Sequence, residues 1–262
     1  MRNKGLIIIV MLLLTACGSI KTKNTVEIES QDQLLLATLW YQRSAEMKAL
    51  YYQCYSNAES ALVKNLAGAE GNLSPAVMLD IDETVLDNSP FQVWQIDEKK
   101  GFDENDWNRW VNTASAKALP GAVEFTLFAD SLGVEVFYVS NRKTTEAAPT
   151  LENMSRLGFA NADSLHMMLK ESTSSKVARR AEIEKNYEIL LMICDNLADL
   201  DGVFEKRPDG YSISEVEARK EMFGTRYIIQ PNPMYGTWLS EMMKTTKGET
   251  VRAKLLNCLG GF

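Results

Sequence analysis

Five short apolar runs recur along this chain, at residues 76–79, 134–139, 164–169, 189–194 and 226–229, and helix-patterned stretches separate them. Residues 122–132 end at Gly133, a second stretch ends at Leu157 before Gly158, and residues 174–186 are rich in Ala, Arg, Glu and Lys. Glycine just past a helix is the usual stop. Short apolar strands alternating with helices define βαβ units: an α/β fold with a mostly parallel sheet covered on both faces. Few other architectures accommodate this rhythm.

The residues that follow the strands narrow the reading further. Asp80-Ile81-Asp82-Glu83-Thr84 follows the first run and Ser140-Asn141-Arg142 the second. Lys176 lies a few residues past the third, and Asp195-Asn196 follows the fourth, with Asp199 and Asp201 close behind. An open parallel sheet binds ligands outside the carboxyl ends of its strands. Distant segments therefore bring acids, a hydroxyl and a lysine to one edge. Crowded carboxylates are unfavourable without a cation, and an oxygen-only ligand set suits Mg²⁺. Such an ion stabilises charge on a transferring phosphoryl group. Asp80 is then placed to attack phosphorus, and Asp82 to act as general acid and base. Lys176 and Ser140 contact the phosphate, and Asn141 and Arg142 fall on the substrate side.

The ends of the chain carry other information. Arg2 and Lys4 precede an apolar run at residues 6–14, closed by Thr15-Ala16-Cys17-Gly18. A basic start, a short apolar core and small residues form a secretory signal peptide, too short for a permanent span of about 20 residues. Residues 1–16 are thus expected to be removed, and residues 17–30 read as a polar tether. Residues 31–72 follow as a helical segment, because 31–66 lack Gly and Pro and place apolar residues at helical spacing. Residues 73–262 form the main domain. Within it 91–120, rich in Trp and charge, is too long for a plain loop and reads as a small helical cap.

Net charge changes from −7 to −9 once Arg2 and Lys4 leave, which argues against binding a nucleic-acid polymer. Past Cys17 an odd number of cysteines remains: Cys54, Cys194 and Cys258. Cys194 reads as a small core residue; whether Cys54 and Cys258 pair stays open. His166, the single histidine, falls in a strand and reads as structural. Arg179-Arg180 reads as a solvated helix face.

Longer stretches carry a family resemblance. DIDET at 80–84, YVSNR at 138–142, Lys176 and DNLAD at 195–199 resemble the four motifs of the haloacid-dehalogenase superfamily. AVMLDIDETVLDNSPF, DWNRWV, LPGAVEF, VFYVSNRK, AEIEK and NPMYGTW are similar to the class C acid phosphatases, from about Trp40 to Trp238. The resemblance implies a haloacid-dehalogenase-like Rossmannoid fold and an acid phosphatase acting on nucleoside 5′-monophosphates and other phosphomonoesters. It implies one Mg²⁺ held by Asp80, the backbone carbonyl of Asp82 and Asp195, and a base sandwiched by Trp107 and Tyr235; apart from the resemblance, one of Asp199 and Asp201, with Asp199 favoured, is expected to support the metal ligands. L-T-A-C resembles a lipobox, implying lipidation of Cys17. The resemblance further implies a homodimer, an outer-membrane or surface location and an acidic optimum. Ser140 and Cys194 depart from the usual threonine and glycine. Two rival readings stand beside this one: a surface lipoprotein that only binds a ligand, and another enzyme of the same fold. A phosphonate hydrolase would need a cap lysine, for which Lys99, Lys100 and Lys117 are available.

Overall fold

The protein is described here from a computed structural model, covering residues 32–206, 212–245, 247–248 and 250–260. The expected signal peptide, Cys17 and tether lie outside the described residues. Five parallel strands form the central sheet in the order β5-β4-β1-β6-β7: β1 Ser74–Leu79, β4 Glu135–Lys143, β5 Met167–Lys170, β6 Tyr187–Cys194 and β7 Tyr227–Ile229. The first run to be made is thus the central strand. The chain crosses to one side for β4 and β5, then returns for β6 and β7, and the reversal opens a crevice at the carboxyl end of β1.

Alternation along the strands sorts the core into two layers. Val77 and Leu79 of β1, Val136 and Tyr138 of β4, and Leu191 and Ile193 of β6 share one apolar cluster. Ala76 and Met78, Phe137 and Val139, and Met192 and Cys194 share the other. Successive strand side chains point to opposite faces, and both faces here are buried, so the runs read as continuously apolar. Helices α2 Ala45–Gly68 and α5 Ala122–Ser131 cover the first face, through Tyr55, Ala58, Leu62 and Phe125. Ile183 of α7 Val177–Ile183, with Leu200 and Phe204, covers the second. Helix α7 is shorter than expected at both ends.

The N-terminal segment is two helices, α1 Asp32–Arg43 and α2, broken at Ser44, whose hydroxyl accepts from Met47 N and caps α2. Helix α2 also grips the turn after β1. Tyr55 OH donates to Thr84 O at 2.7 Å, and Tyr51 OH to Glu83 O at 2.5 Å. Since the one proton of Tyr51 is committed there, Tyr41 OH must donate to Tyr51 at 2.5 Å. Each buried carbonyl left without such a donor would cost about 1–3 kcal/mol. Gly121, in the LPGAVEF stretch, has φ +84° and lies so near Tyr55 that a Cβ would sit 3.1 Å from its ring. A side chain there would be strained and would press on the tyrosine.

Residues 91–120 hold most of α3 Ser89–Asp97, all of α4 Glu104–Asn112, and β3 Lys117–Ala118, which pairs antiparallel with β2 Leu86–Asp87. Phe91 packs on Trp94, Phe102 and Trp107, with ring centroids 5.2–6.3 Å apart. Trp110 turns inward, and its Nε1 donates to Asn88 Oδ1 at 2.8 Å. Helix α6 Ala147–Leu157 lies between β4 and β5 and α8 Ile213–Ala218 between β6 and β7, and after β7 the chain continues into α9 Thr237–Thr245 and α10 Val251–Cys258. Cys54, Cys194 and Cys258 are free thiols, so the open pairing of Cys54 with Cys258 is not made. His166 is buried just before β5, with Asp163 at 2.9 Å on Nδ1 and Glu135 at 2.8 Å on Nε2, a structural setting as expected.

Candidate active site

The turn after β1 is tight. Ile81 O accepts from both Val85 N and Leu86 N at 2.9 Å, and Glu83 takes φ +56°. Asp80 N donates to Ile193 O of β6. These bonds fix Asp80 beside the end of β6, where Asp195 begins the next loop. One carboxylate oxygen from each of Asp80, Asp195 and Asp199 lies within 4.8 Å of the others. Lys176 is buried among them, paired with Asp80 Oδ1 and 3.1 Å from Asp199 Oδ2. Thr84 Oγ1 donates to Asp80 Oδ2 at 3.4 Å, and Asn232 Nδ2 to Asp195 Oδ2 at 2.8 Å. Asp80, Lys176, Asp195 and Asp199, read from distant parts of the sequence, are brought together.

Charge explains what the cluster can hold. Three carboxylates face one ammonium, an excess of two negative charges. Burial raises the Asp80 carboxyl from 3.8 to about 7, with Asp199 and Asp82 adding to the rise and Lys176 opposing it. Burial and then Asp80 push Asp195 well up, and burial pushes Asp199 up against Lys176. A divalent cation fits this donor set: all ligands are hard oxygens, close enough to share one ion, and the charge excess matches.

The sign of the pH effect follows. A carboxyl whose pKa is higher folded than unfolded makes the folded state bind more protons between the two values. In chelator-treated protein, stability is therefore expected to fall as pH rises from about 4 to about 7, and Mg²⁺ is expected to restore it above pH 7. Thermal unfolding at pH 5 and 7.5, with and without Mg²⁺, checks this; a chelator-treated protein more stable at pH 7.5 would contradict it.

Asp82 is held differently. Arg142 Nε and Nη2 both donate to its Oδ1, at 2.9 and 2.8 Å, as does Asn88 Nδ2 at 2.8 Å. Ser140 Oγ reaches Oδ2 at 3.3 Å. Arg142, expected on the substrate, directs its guanidinium into the protein instead. Nη1 donates to Thr150, Nη2 also reaches Asn88, and Cζ lies 5.7 Å from the Trp107 ring centroid. Both guanidinium donors thus meet one carboxylate oxygen, in charge-assisted hydrogen bonds that hold Oδ1 and leave Oδ2 to Ser140. Ser140, expected to contact the phosphate directly, bonds Asp82 and accepts from Arg142 N at 3.1 Å. Asn141 is exposed at the mouth.

Arg179 and Arg180 correct the reading of a solvated face. Arg179 Nη1 donates to Ser140 O at 2.5 Å and Nη2 to Asn141 Oδ1 at 2.7 Å, while Arg180 Nη1 bonds Leu200 O. They brace the two loops flanking Lys176. Position was the available signal: both open the helix that starts beside Lys176.

Glu83, Asn88 and Asn232 were also missed. Glu83 is fully buried, accepts from Asn88 N and from Tyr235 OH, and burial raises its carboxyl well above the usual range. Asn232 Oδ1 accepts from Met234 N at 3.0 Å, so one side chain both forms the NPMYG turn and orients Asp195. Trp107 and Tyr235 both line a cavity of about 800 Å³, whose lining also includes Asp80, Asp82, Asn141, Arg142, Asp195 and Asp199. Lys99, Lys100 and Lys117, the cap lysines, are not among the residues that line that cavity.

Sheet order, strand-end acids and buried lysine define an α/β domain with a carboxylate-rich site for a metal and an oxyanion. Residues 13–238 match the family described as HAD superfamily, subfamily IIIB (Acid phosphatase), and the chain belongs to that family. It is similar to the class C acid phosphatase of Bacillus anthracis: 38% identity, TM-score 0.81, covering 88% of this chain and 98% of that one. The same figures hold for that enzyme with tungstate bound. Among curated relatives, a stem 31 kDa glycoprotein of Glycine max is 32% identical over 59% of this chain and 57% of its own length. Acid phosphatase 1 of Solanum lycopersicum is 29% identical over 48% and 51%. The matched region thus spans about half the length of these curated relatives.

Proposed function

We propose that the protein hydrolyses phosphomonoesters, nucleoside 5′-monophosphates among them, through an aspartyl-phosphate on Asp80. The observation that carries this is the Asp80 carboxylate at the end of the central strand, within reach of Lys176, Asp195 and Asp199. Asp80, Asp195 and the Asp82 carbonyl would hold Mg²⁺, with Asp199 supporting both the ion and Lys176. When bound, the ion supplies charge neutralisation at the transferring phosphoryl group. Asp80 attacks phosphorus, and the bond to the leaving oxygen breaks as Asp82 donates a proton to it. Arg142 and Asn88 hold Asp82 Oδ1, which leaves Oδ2, beside Ser140, as the oxygen that carries the proton. Asp82 then takes a proton from the water that cleaves the acyl-phosphate. Lys176 stabilises charge on Asp80 and on the phosphoryl oxygens.

A tetrahedral oxyanion in the similar B. anthracis structure supports the phosphate reading. Trp107 and Tyr235, two aromatic residues lining the same cavity, support a base stack, worth roughly 1–3 kcal/mol per base and indifferent to base identity. The basic, apolar and L-T-A-C pattern at residues 1–17 supports export and lipid attachment at Cys17, at the outer membrane or cell surface. The homodimer rests on family resemblance alone.

The test is a phosphate-release panel with Mg²⁺ and with chelator, comparing nucleoside 5′-monophosphates and 4-nitrophenyl phosphate. Chelator is expected to stop release and Mg²⁺ to restore it. Trp107→Ala is expected to lower kcat/KM for the nucleotides about 5- to 100-fold more than for the aryl ester; equal losses would remove the stacking role.

A further inference from the structure

The cavity is lined by more than the strand-end acids. Leu239 and Met243 of α9 and Val251 and Leu255 of α10 also line it, with Leu34 of α1 and Met234. Each helix contributes an i, i+4 apolar pair, and residues four apart lie on one helix face. These pairs are two stripes turned toward one space, continuous with the site that holds Asp80 and Asp195. The family match ends at residue 238, immediately before Leu239. All four helical wall residues therefore belong to a part of this chain beyond that match. A binding site polar at one end and apolar at the other is complementary to an amphiphile.

We propose that α9 and α10 build an apolar subsite for the non-phosphate end of the substrate, selecting phosphomonoesters with an alkyl or extended aryl leaving group. This deepens the phosphomonoesterase reading and rests on it. Phosphate is held at the strand ends, the ester oxygen lies near Asp82, and the apolar chain runs outward between Trp107 and Tyr235 to the helical wall. Binding a chain there acts equally on substrate and transition state, so its effect falls on KM with kcat nearly unchanged.

The experiment uses the full chain with Mg²⁺ and straight-chain alkyl monophosphates from ethyl to octyl, kept below micelle formation. Burial of each methylene is expected to raise kcat/KM about two- to fourfold until the wall is filled. The ratio of octyl to ethyl phosphate is then at least about fifty. In the triple variant Leu239→Asn/Met243→Asn/Leu255→Asn the ratio is expected to collapse toward one, each protein being compared with its own ethyl phosphate rate. Met243→Asn alone gives the same fall in smaller measure if the triple variant does not fold. A ratio near one in the unmodified enzyme, with ethyl phosphate turned over, overturns the subsite while leaving the phosphatase standing. A high ratio that survives both variants also overturns it, since the gain then arises elsewhere. Absence of release from every ester strikes the reading of function itself, and the subsite falls with it.

Discussion

Asp80→Asn is expected to lower phosphate release by about 10⁴–10⁶, the scale seen when a covalent nucleophile is removed from a cooperating group. The fold is expected to survive. Asparagine keeps the shape of the side chain: its oxygen can still accept from Lys176, and its amide nitrogen can donate to the Thr84 hydroxyl. Lys176 also retains Asp199 as an ionic partner at 3.1 Å. In chelator above pH 7 the variant should be no less stable than the parent, because one of three crowded carboxyls has lost its charge. Parallel phosphate release and thermal unfolding check both halves. A variant within tenfold of the parent rate, with normal unfolding, would show that Asp80 is not the nucleophile.

Lys176→Met acts on the opposite charge and is expected to be the more damaging change to stability. Removing one partner of a buried ion pair typically costs about 3–5 kcal/mol, because the other is left buried and uncompensated. Two carboxylates are stranded here, those of Asp80 and Asp199, each with a side chain only 8% exposed. At about 2–4 °C per kcal/mol for a domain of this size, the melting temperature should fall by roughly 6–20 °C. Mg²⁺ should recover part of that loss and almost none of the activity. Lys185→Met is the control: its partner Glu182 is at the surface, with side chains 63% and 56% exposed, where an ion pair is worth about 1 kcal/mol or less. Equal destabilisation by the two changes would show that the buried ammonium is not holding the acids together.

Residues whose role is set by their place along a strand were legible in the sequence. Asp80, Asp195 and Ser140 lie at or near the ends of strands buried on both faces, so apolar runs announced them. Lys176 was legible through its order after the third run. Roles set by side-chain direction were not. Arg142 looks like a phosphate ligand until the packing of α6 brings Thr150 beside it, and the turn at Asn88 brings a second acceptor. Arg179 resembled a solvent charge because its targets, Ser140 O and Asn141 Oδ1, lie nearly 40 positions back along the chain. Tyr51 was read as one more apolar residue of a helix, and nothing local says that its hydroxyl meets the Glu83 carbonyl. The helices were found with approximate limits because their ends depend on such long-range partners, as where Ser174 and Ser175 give their carbonyls to Arg179 rather than to a helical turn.

Helix α2 touches nearly every stage of the chain's synthesis. Its tyrosines reach residues 83 and 84, and its Asn65 amide donates to Leu190 O at 3.0 Å and to Thr225 O at 2.9 Å. A helix made early, before any of the sheet strands among the described residues, is thus among the last to find all its partners. A nascent chain that stops before residue 225 has already made its acids and its lysine but cannot yet seat the helix that squares the Asp80 turn. Catalytic competence should therefore arrive late and abruptly, once the final strand and the Asn232–Tyr235 turn after it are in place, rather than growing residue by residue as the enzyme is made.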